Sequence, residues 1–522
     1  MEISPLSWRS SALTIRRKNM KRSIWVALIL MATTWLAAAD FDPSRFQDRI
    51  HEITLDNGLK FILLEDHSVP IASFVTYVNA GGSDERIGIF GISHFLEHLA
   101  FKGTSEVGTT NIEAERRLMA EMDRLFDRIR TEKDSLDPDE KKLEALNAEL
   151  EKLKEEGAKY VKSNEFTSIL TRNGVVGLNA GTSKDYTVYF YSLPSNRLEL
   201  WAYLESARFT DPVFREFYKE RGVIMEERRV RTENQPVGKL IEELQALAFK
   251  DHPYHVGVIG PMSNIEHITR RDVQEYFRTH YHAGNMVIGV AGDVTPKQLR
   301  KMAKKYFSGI PAGKRNPLVF TDEKPQLGEK TVTIFEESQP WLVMGYHIPS
   351  VRHADFTRFQ VLNYILTTGR SSRLNQRMVK EEKSALAVGS MAGFPGSKYP
   401  GLYLVFALPN SGKTTDELLT TIDEEIEKLT KEPVSAEELD SAKTRMKVTV
   451  MRQMQNDLYF MMGLLQSEVL QGSWRKAFEA MQEIDAVSTE DIRNLAEKYL
   501  VRSNRSIARI EKRQETQEEV SQ

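Results

Sequence analysis

Two histidines four residues apart, with an acid beside the second, are the side chains of this sequence best spaced to do metal chemistry. They lie in the run Gly91-Ile-Ser-His-Phe-Leu-Glu-His-Leu-Ala-Phe-Lys-Gly-Thr104. On a helix, positions i and i+4 stand one above the other, so His94 and His98 can aim ring nitrogens at one ion. Glu97 falls near the same face, with its carboxylate beside an open coordination position. Nothing in the run breaks a helix, and Gly91 and Ser93 suit its start, Ser93 as N-cap. The order inverts the His-Glu-x-x-His zinc motif. A catalytic zinc takes three protein ligands, so a third donor must come from elsewhere. The competing reading is a surface helix carrying two solvated histidines.

The elements ahead of this run give it a rigid base. Residues 53–64 read as a hairpin turning at Asp56-Asn57-Gly58, and residues 71–80 as a strand closed by Gly81-Gly82. The chain as a whole has 522 residues, 41% hydrophobic and 28% charged, enough for two or more globular domains. A net charge of −3 gives no reason to invoke nucleic acid. With no cysteine, thiolate ligands and disulfides are excluded, so any metal must use histidine and carboxylate.

Lys21-Arg22, the apolar stretch that follows and Ala37-Ala38-Ala39 have the order of a secretory signal, with Met20 as the alternative start. The stretch is short for a membrane span. The expectation is an exported, periplasmic protein starting near Asp40, with no stable membrane span in the mature form.

The run His-Phe-Leu-Glu-His-Leu-Ala-Phe-Lys-Gly-Thr resembles, almost residue for residue, the zinc motif of the pitrilysin/insulinase peptidase family, which includes the mitochondrial processing peptidase. The resemblance implies a third ligand from a later helix carrying two glutamates. Glu220-Arg-Gly-Val-Ile-Met-Glu-Glu227 fits, with Glu227 as ligand and Glu220 as the acid that orients a ligating histidine; Glu226 is out of register. It further implies one zinc ion on His94, His98 and Glu227, and Glu97 activating the attacking water. In residues 177–191, which look like the family strand that receives substrate by strand addition, Asn179 would hydrogen-bond the peptide near the scissile bond. His252-Pro-Tyr-His255 has the spacing of a turn, and a structural role is expected there.

The separation of Glu227 from His98, 227 − 98 = 129 residues, exceeds the family's usual spacing by about one helical hairpin. Leu118, Met122, Leu125 and Ile129, then Leu143, Leu146, Leu150 and Leu153, mark two heptad-like seams on charged helices. Asp137 reads as N-cap of the second, with Pro138 at its first position. Residues 112–161 are therefore expected to form a self-contained antiparallel hairpin, a lid or docking arm, or a dispensable insertion.

The second half repeats the first at an offset of 219: Thr269, Asp272 and Asn285 recur as Ser488, Asp491 and Asn504. Glu220 and Glu227 then fall on Leu439 and Met446, and a separate match sets Gln360–Tyr364 against His94–His98. The repeat has lost the metal ligands. The resemblance implies an α+β fold: two homologous domains, each an antiparallel sheet with helices packed on one face, enclosing a cavity. The expected boundaries are a signal region at 1–39, a zinc-binding domain at 40–310, a linker at 311–325, a metal-free domain at 326–511 and a solvated tail at 512–522.

The motif and the resemblance together imply a zinc endopeptidase, with extended peptides as the substrates the family handles. The alternatives are a non-catalytic structural or assembly subunit, or a metal-binding protein. In family members that work alone, the second half also supplies an Arg and a Tyr to the substrate carbonyl. Here Val388 stands where the Tyr belongs, with Glu381 seven residues earlier and Lys380 the nearest cation. The expectation is a heterodimer with a homologous zinc-free partner that supplies the Arg/Tyr pair.

Overall fold

Strands that read as near-continuous apolar runs need cover on both faces, and the fold provides it by exchange between two halves. The computed structural model describes residues 44–512, so the signal region and all but the first residue of the tail lie outside the described residues. Ser44–Gln47 forms a short helical turn, and the chain from Ile50 onward makes one compact unit. No helix among the described residues is long and apolar enough to cross a membrane.

The first sheet holds β1 (Ile50–Thr54), β2 (Lys60–Glu65), β3 (Ile71–Val78), β4 (Val176–Thr182), β5 (Thr187–Pro194) and β6 (Met286–Gly292), in the order β1-β2-β6-β3-β5-β4. The second holds β7 (Lys330–Phe335), β8 (Trp341–Ile348), β9 (Ala385–Phe394), β10 (Gly401–Pro409) and β11 (Arg505–Glu511), in the order β7-β11-β8-β10-β9. Without β1, the two orders match strand for strand. One expectation is corrected in both: the sheets are not wholly antiparallel, because β2 pairs with β6, and β7 with β11, in parallel. A parallel pair needs a long crossover, and here the crossover carries the body of each half.

Within the first half the helices used below are α1 (Ile92–Leu99), α2 (Ile112–Lys133), α3 (Glu140–Ala158), α4 (Phe217–Arg228), α5 (Pro236–Ala248) and α6 (Arg270–His280). Their second-half counterparts and neighbours are α7 (Ala354–Leu366), α8 (Ala436–Met454), α9 (Asp457–Gln471) and α10 (Thr489–Tyr499). The repeat at offset 219 holds in atomic detail. Capping boxes at Thr269/Asp272 and Ser488/Asp491 start α6 and α10. Asn285 and Asn504 each donate to a backbone oxygen five residues back, His280 and Tyr499, at 2.9 Å.

Helices are not confined to one face. Shifted by 219, α5 falls on α9, and these two helices trade places. The first-half helix α5 packs Leu240, Leu244 and Ala248 on Val343, Leu402, Leu404 and Ala508 of the second sheet. The second-half helix α9 lies across β3 and β6 of the first sheet. Gly289 of β6 makes room for it: a Cβ there would stand 2.4 Å from Met461 Sδ and 2.8 Å from Leu465. Lys60 and Glu468, 2.6 Å apart, pin the same junction.

The hairpin of α2 and α3 forms, but it is not self-contained. Met122, Leu125, Phe126, Ile129, Leu146 and Leu150 belong to the same buried cluster as Phe217 and Ile224 of α4. Asp139, not Asp137, caps α3, accepting from Lys141 and Lys142 amides at 3.0 and 3.1 Å. Pro138 therefore precedes the helix instead of opening it.

Candidate metal centre

The metal helix α1 starts at a glycine for a steric reason. Gly91 has φ 96°, and a Cβ would meet Ile259 O at 2.1 Å. Ser93 is not the cap; it lies inside the helix, with its hydroxyl 2.8 Å from Tyr276 Oη of α6. The free amides of Gly91 and Ser93 instead donate to Glu85, at 2.8 and 2.9 Å. A carboxylate at a helix N-terminus satisfies orphan donors and complements the helix dipole.

One turn on, His94 and His98 face α4. His94 Nε2 stands 3.6 Å from Glu227 Oε1, and His98 Nε2 stands 3.4 Å from Glu227 Oε2. These are longer than charge-assisted hydrogen bonds, about 2.7–2.9 Å. They match the spacing of about 3.3 Å between ligands held 2.0–2.1 Å from a tetrahedral zinc. No other group of three such donors gathers among the described residues. Two imidazole nitrogens and one carboxylate are a catalytic zinc set, and the residues fit the ion.

The surroundings prepare the donors. His98 Nδ1 lies 2.8 Å from Glu220 Oε1, which leaves Nε2 to face the centre. Glu220 Oε2 in turn pairs with Lys102 at 2.5 Å. Burial works against the Glu220 charge, but the bonds from His98 and Lys102 outweigh it and hold its carboxyl below the usual range. Burial, helped by the neighbouring His98, pushes His94 down to about 4, so its ring is neutral and keeps a lone pair. Arg231, one turn beyond Glu227, pairs with Glu227 Oε1 at 2.7 Å.

Glu97 points to the same side. Burial raises its carboxyl, opposed by a hydrogen bond from Thr182 at 2.6 Å and by His98. A cleft of about 340 Å³ opens there, lined by Glu97, His98, Lys102, Asn179 and Glu220 among others. Asn179 sits exposed on β4, which ends the sheet and has no outer neighbour. Such an edge can accept an extended peptide as a further strand.

All six sequence-derived residues, His94, Glu97, His98, Asn179, Glu220 and Glu227, thus come together. Glu226 is exposed and pairs with Arg229. His252 is buried in a turn, its Nδ1 accepting from the Tyr254 amide at 3.2 Å. Missing from the sequence reading were Glu85, Thr182, Lys102 and Arg231. Arg231 was detectable as an i+4 partner of Glu227 on a continuing helix, and Lys102 stood within the motif itself. Thr182 and Glu85 reach the site only through the fold.

Among the described residues the second half holds no equivalent group of donors. Leu439 and Met446 of α8, which match Glu220 and Glu227, are buried in its core against α7.

Comparison with known proteins agrees with this picture. The family description Insulinase (Peptidase family M16) matches residues 60–121, and the description Peptidase M16 inactive domain matches residues 267–446. The second match leaves out all three metal donors. Zinc protease PqqE of Helicobacter pylori is 27% identical over 437 residues, 82% of this chain and 85% of that one. The mitochondrial-processing peptidase subunit beta of Lentinula edodes is 25% identical over 465 residues, 86% of each chain. The crystal structure of a protease from Helicobacter pylori superposes with a TM-score of 0.74 at 24% identity, over 88% of this chain and 99% of that one. A peptidase M16 inactive domain from Pseudomonas fluorescens gives 0.69 at 16% identity, over 89% and 98%. The two superpositions show the fold.

Proposed function

The chain belongs to the pitrilysin/insulinase-type peptidase family, and on that premise we propose that it is a zinc-dependent endopeptidase cleaving extended peptides or unfolded protein segments. The observation that carries this reading is the convergence of His94, His98 and Glu227 donors beside Glu97 and an unpaired strand edge. Zinc held there would supply Lewis acidity.

The chain's own groups do the rest. Glu97 takes the proton of the attacking water and passes it to the leaving amine, and its raised carboxyl suits both steps. Glu220 keeps the His98 ring oriented. β4 pairs with the substrate backbone, and Asn179 bonds it near the scissile peptide. Residues 40–310 form the zinc-binding domain and residues 326–511 the metal-free one, joined by 311–325. We further assign the chain as the catalytic subunit of a heterodimer, exported to the periplasm.

Metal analysis beside a quenched-peptide assay tests the reading. Glu97→Gln is expected to keep zinc and lose roughly 10²–10⁴-fold in hydrolysis. Glu227→Ala is expected to lose zinc as well. A fully active Glu97→Gln protein refutes the mechanism, and zinc retention with no hydrolysis in any assembly favours a metal-binding or assembly role.

A further inference from the structure

The two halves touch beside the base. The turn between β4 and β5, residues 183–186, is held from both sides. On one side, Gly82 and Ser83 amides donate to Ser183 and Lys184 oxygens at 3.0 and 2.8 Å. On the other lies the second-half loop 396–399, and Asp185, 2% exposed, is the joint. Its Oδ2 accepts from the Ser397 and Lys398 amides at 2.6 and 2.9 Å. Its Oδ1 accepts from Tyr254 Oη at 2.5 Å, and that hydroxyl accepts the Tyr399 amide at 3.3 Å. The fit is close: a Cβ on Gly396 would stand 2.5 Å from Tyr254 Oη and 2.7 Å from both Asp185 oxygens.

Three residues before Asp185 on the same chain segment, Thr182 donates to Glu97 Oε2 at 2.6 Å. Thr182 ends β4, the edge strand among the described residues, and is held in the sheet on one side only, by its pairing with Thr187 of β5. A glutamate side chain turns about three bonds. Holding one oxygen fixes the direction of the other, and a misplacement of about 1 Å in a reacting group can cost about 100-fold.

We propose that the metal-free half positions the base: loop 396–399 fixes the β4–β5 turn through Asp185, and Thr182, the residue that leads into that turn, holds the Glu97 carboxylate. This rests on Glu97 being the base. Thr182 and Asp185 are positioning residues, and the second half then has a duty in the chemistry although it binds no metal.

The test uses the assembly that hydrolyses peptide and compares kcat, KM, zinc content and thermal midpoint. Thr182→Val is expected to lower kcat roughly 10-fold or more with KM and zinc content unchanged, and Thr182→Ser to restore it. Tyr254→Phe removes a hydroxyl without adding an atom and is expected to lower kcat in the same way. Once Thr182 is valine, Tyr254→Phe is expected to add little, because the path is already cut. Asp185→Asn takes its place should Tyr254→Phe fail to fold. Wild-type kcat in Thr182→Val, a loss confined to KM or zinc, or full multiplication of the two effects overturns the proposal. Glu97→Gln assayed alongside separates the two failures: its full activity removes the base, whereas its inactivity beside a fully active Thr182→Val removes only the positioning.

Discussion

Glu85 is a buried carboxylate facing two backbone amides and the buried ammonium of Lys184. Burial pushes it up to about 7, and Lys184 and the two amides offset only part of that. Unfolded, it titrates near 4.3. Between those values the folded chain binds a proton that the unfolded chain has released, so this group's contribution to stability is present at low pH and lost as pH rises toward 7. Glu85→Gln should remove that slope. Urea midpoints of the metal-free protein at pH 5 and pH 8 check it: the wild type is expected to lose more between the two than the variant, and equal losses refute the assignment. At this scale the candidate metal ligands were legible because helical spacing alone puts His94 and His98 on one face. The groups that hold the helix were not. Glu85 lies one loop away, and Ser93 carried the cap signature while Glu85 took its amides.

At the scale of elements, the hairpin α2–α3 fastens the candidate metal site. Glu115, at the start of α2, pairs with Arg215 at 2.8 Å, and both side chains are 1–2% exposed. The same guanidinium donates to the Thr104 and Val107 oxygens, at 2.6 and 2.9 Å, in the loop that follows α1. Asp123 takes bonds from Tyr218 of α4 and Arg270 of α6, at 2.7 and 2.6 Å. Breaking a buried pair leaves an uncompensated charge, at about 3–5 kcal/mol. Replacing residues 112–161 by a short linker is therefore expected to lower the thermal midpoint sharply and to reduce zinc content. A deletion that keeps both would show that the hairpin is separable after all. The heptad seams located both helices, yet they also implied a self-sufficient pair. The seam residues of α2 serve two neighbours, and a one-dimensional pattern does not say which partner is on each side. The same limit hid the exchange of α5 and α9, because an apolar stripe looks alike whichever sheet it covers.

At the scale of the whole molecule, the proposed site lacks the Arg and Tyr that the family resemblance implies. Val388 lies in the second core, and Glu381 is exposed at the end of a helical turn; neither side chain carries a hydrogen-bond donor. The proposed pairing with a zinc-free chain follows from the intact candidate metal set and the missing Arg/Tyr pair. Purified alone and loaded with zinc, the chain is expected to hydrolyse peptide weakly, with a large gain on adding a homologous zinc-free chain; full activity alone would refute this. The duplication was visible in three spaced residues, and the strand orders now extend it to the whole of each half. The traded helices also set a timetable for synthesis. The first sheet is complete at Gly292, yet α9, which covers one of its faces, ends at Gln471, 471 − 292 = 179 residues later. At about 5–20 residues per second, a ribosome needs on the order of 10–35 seconds to deliver it. Through that interval a finished apolar face has no lid, so the nascent chain must be kept from sticking to its neighbours until α9 has emerged.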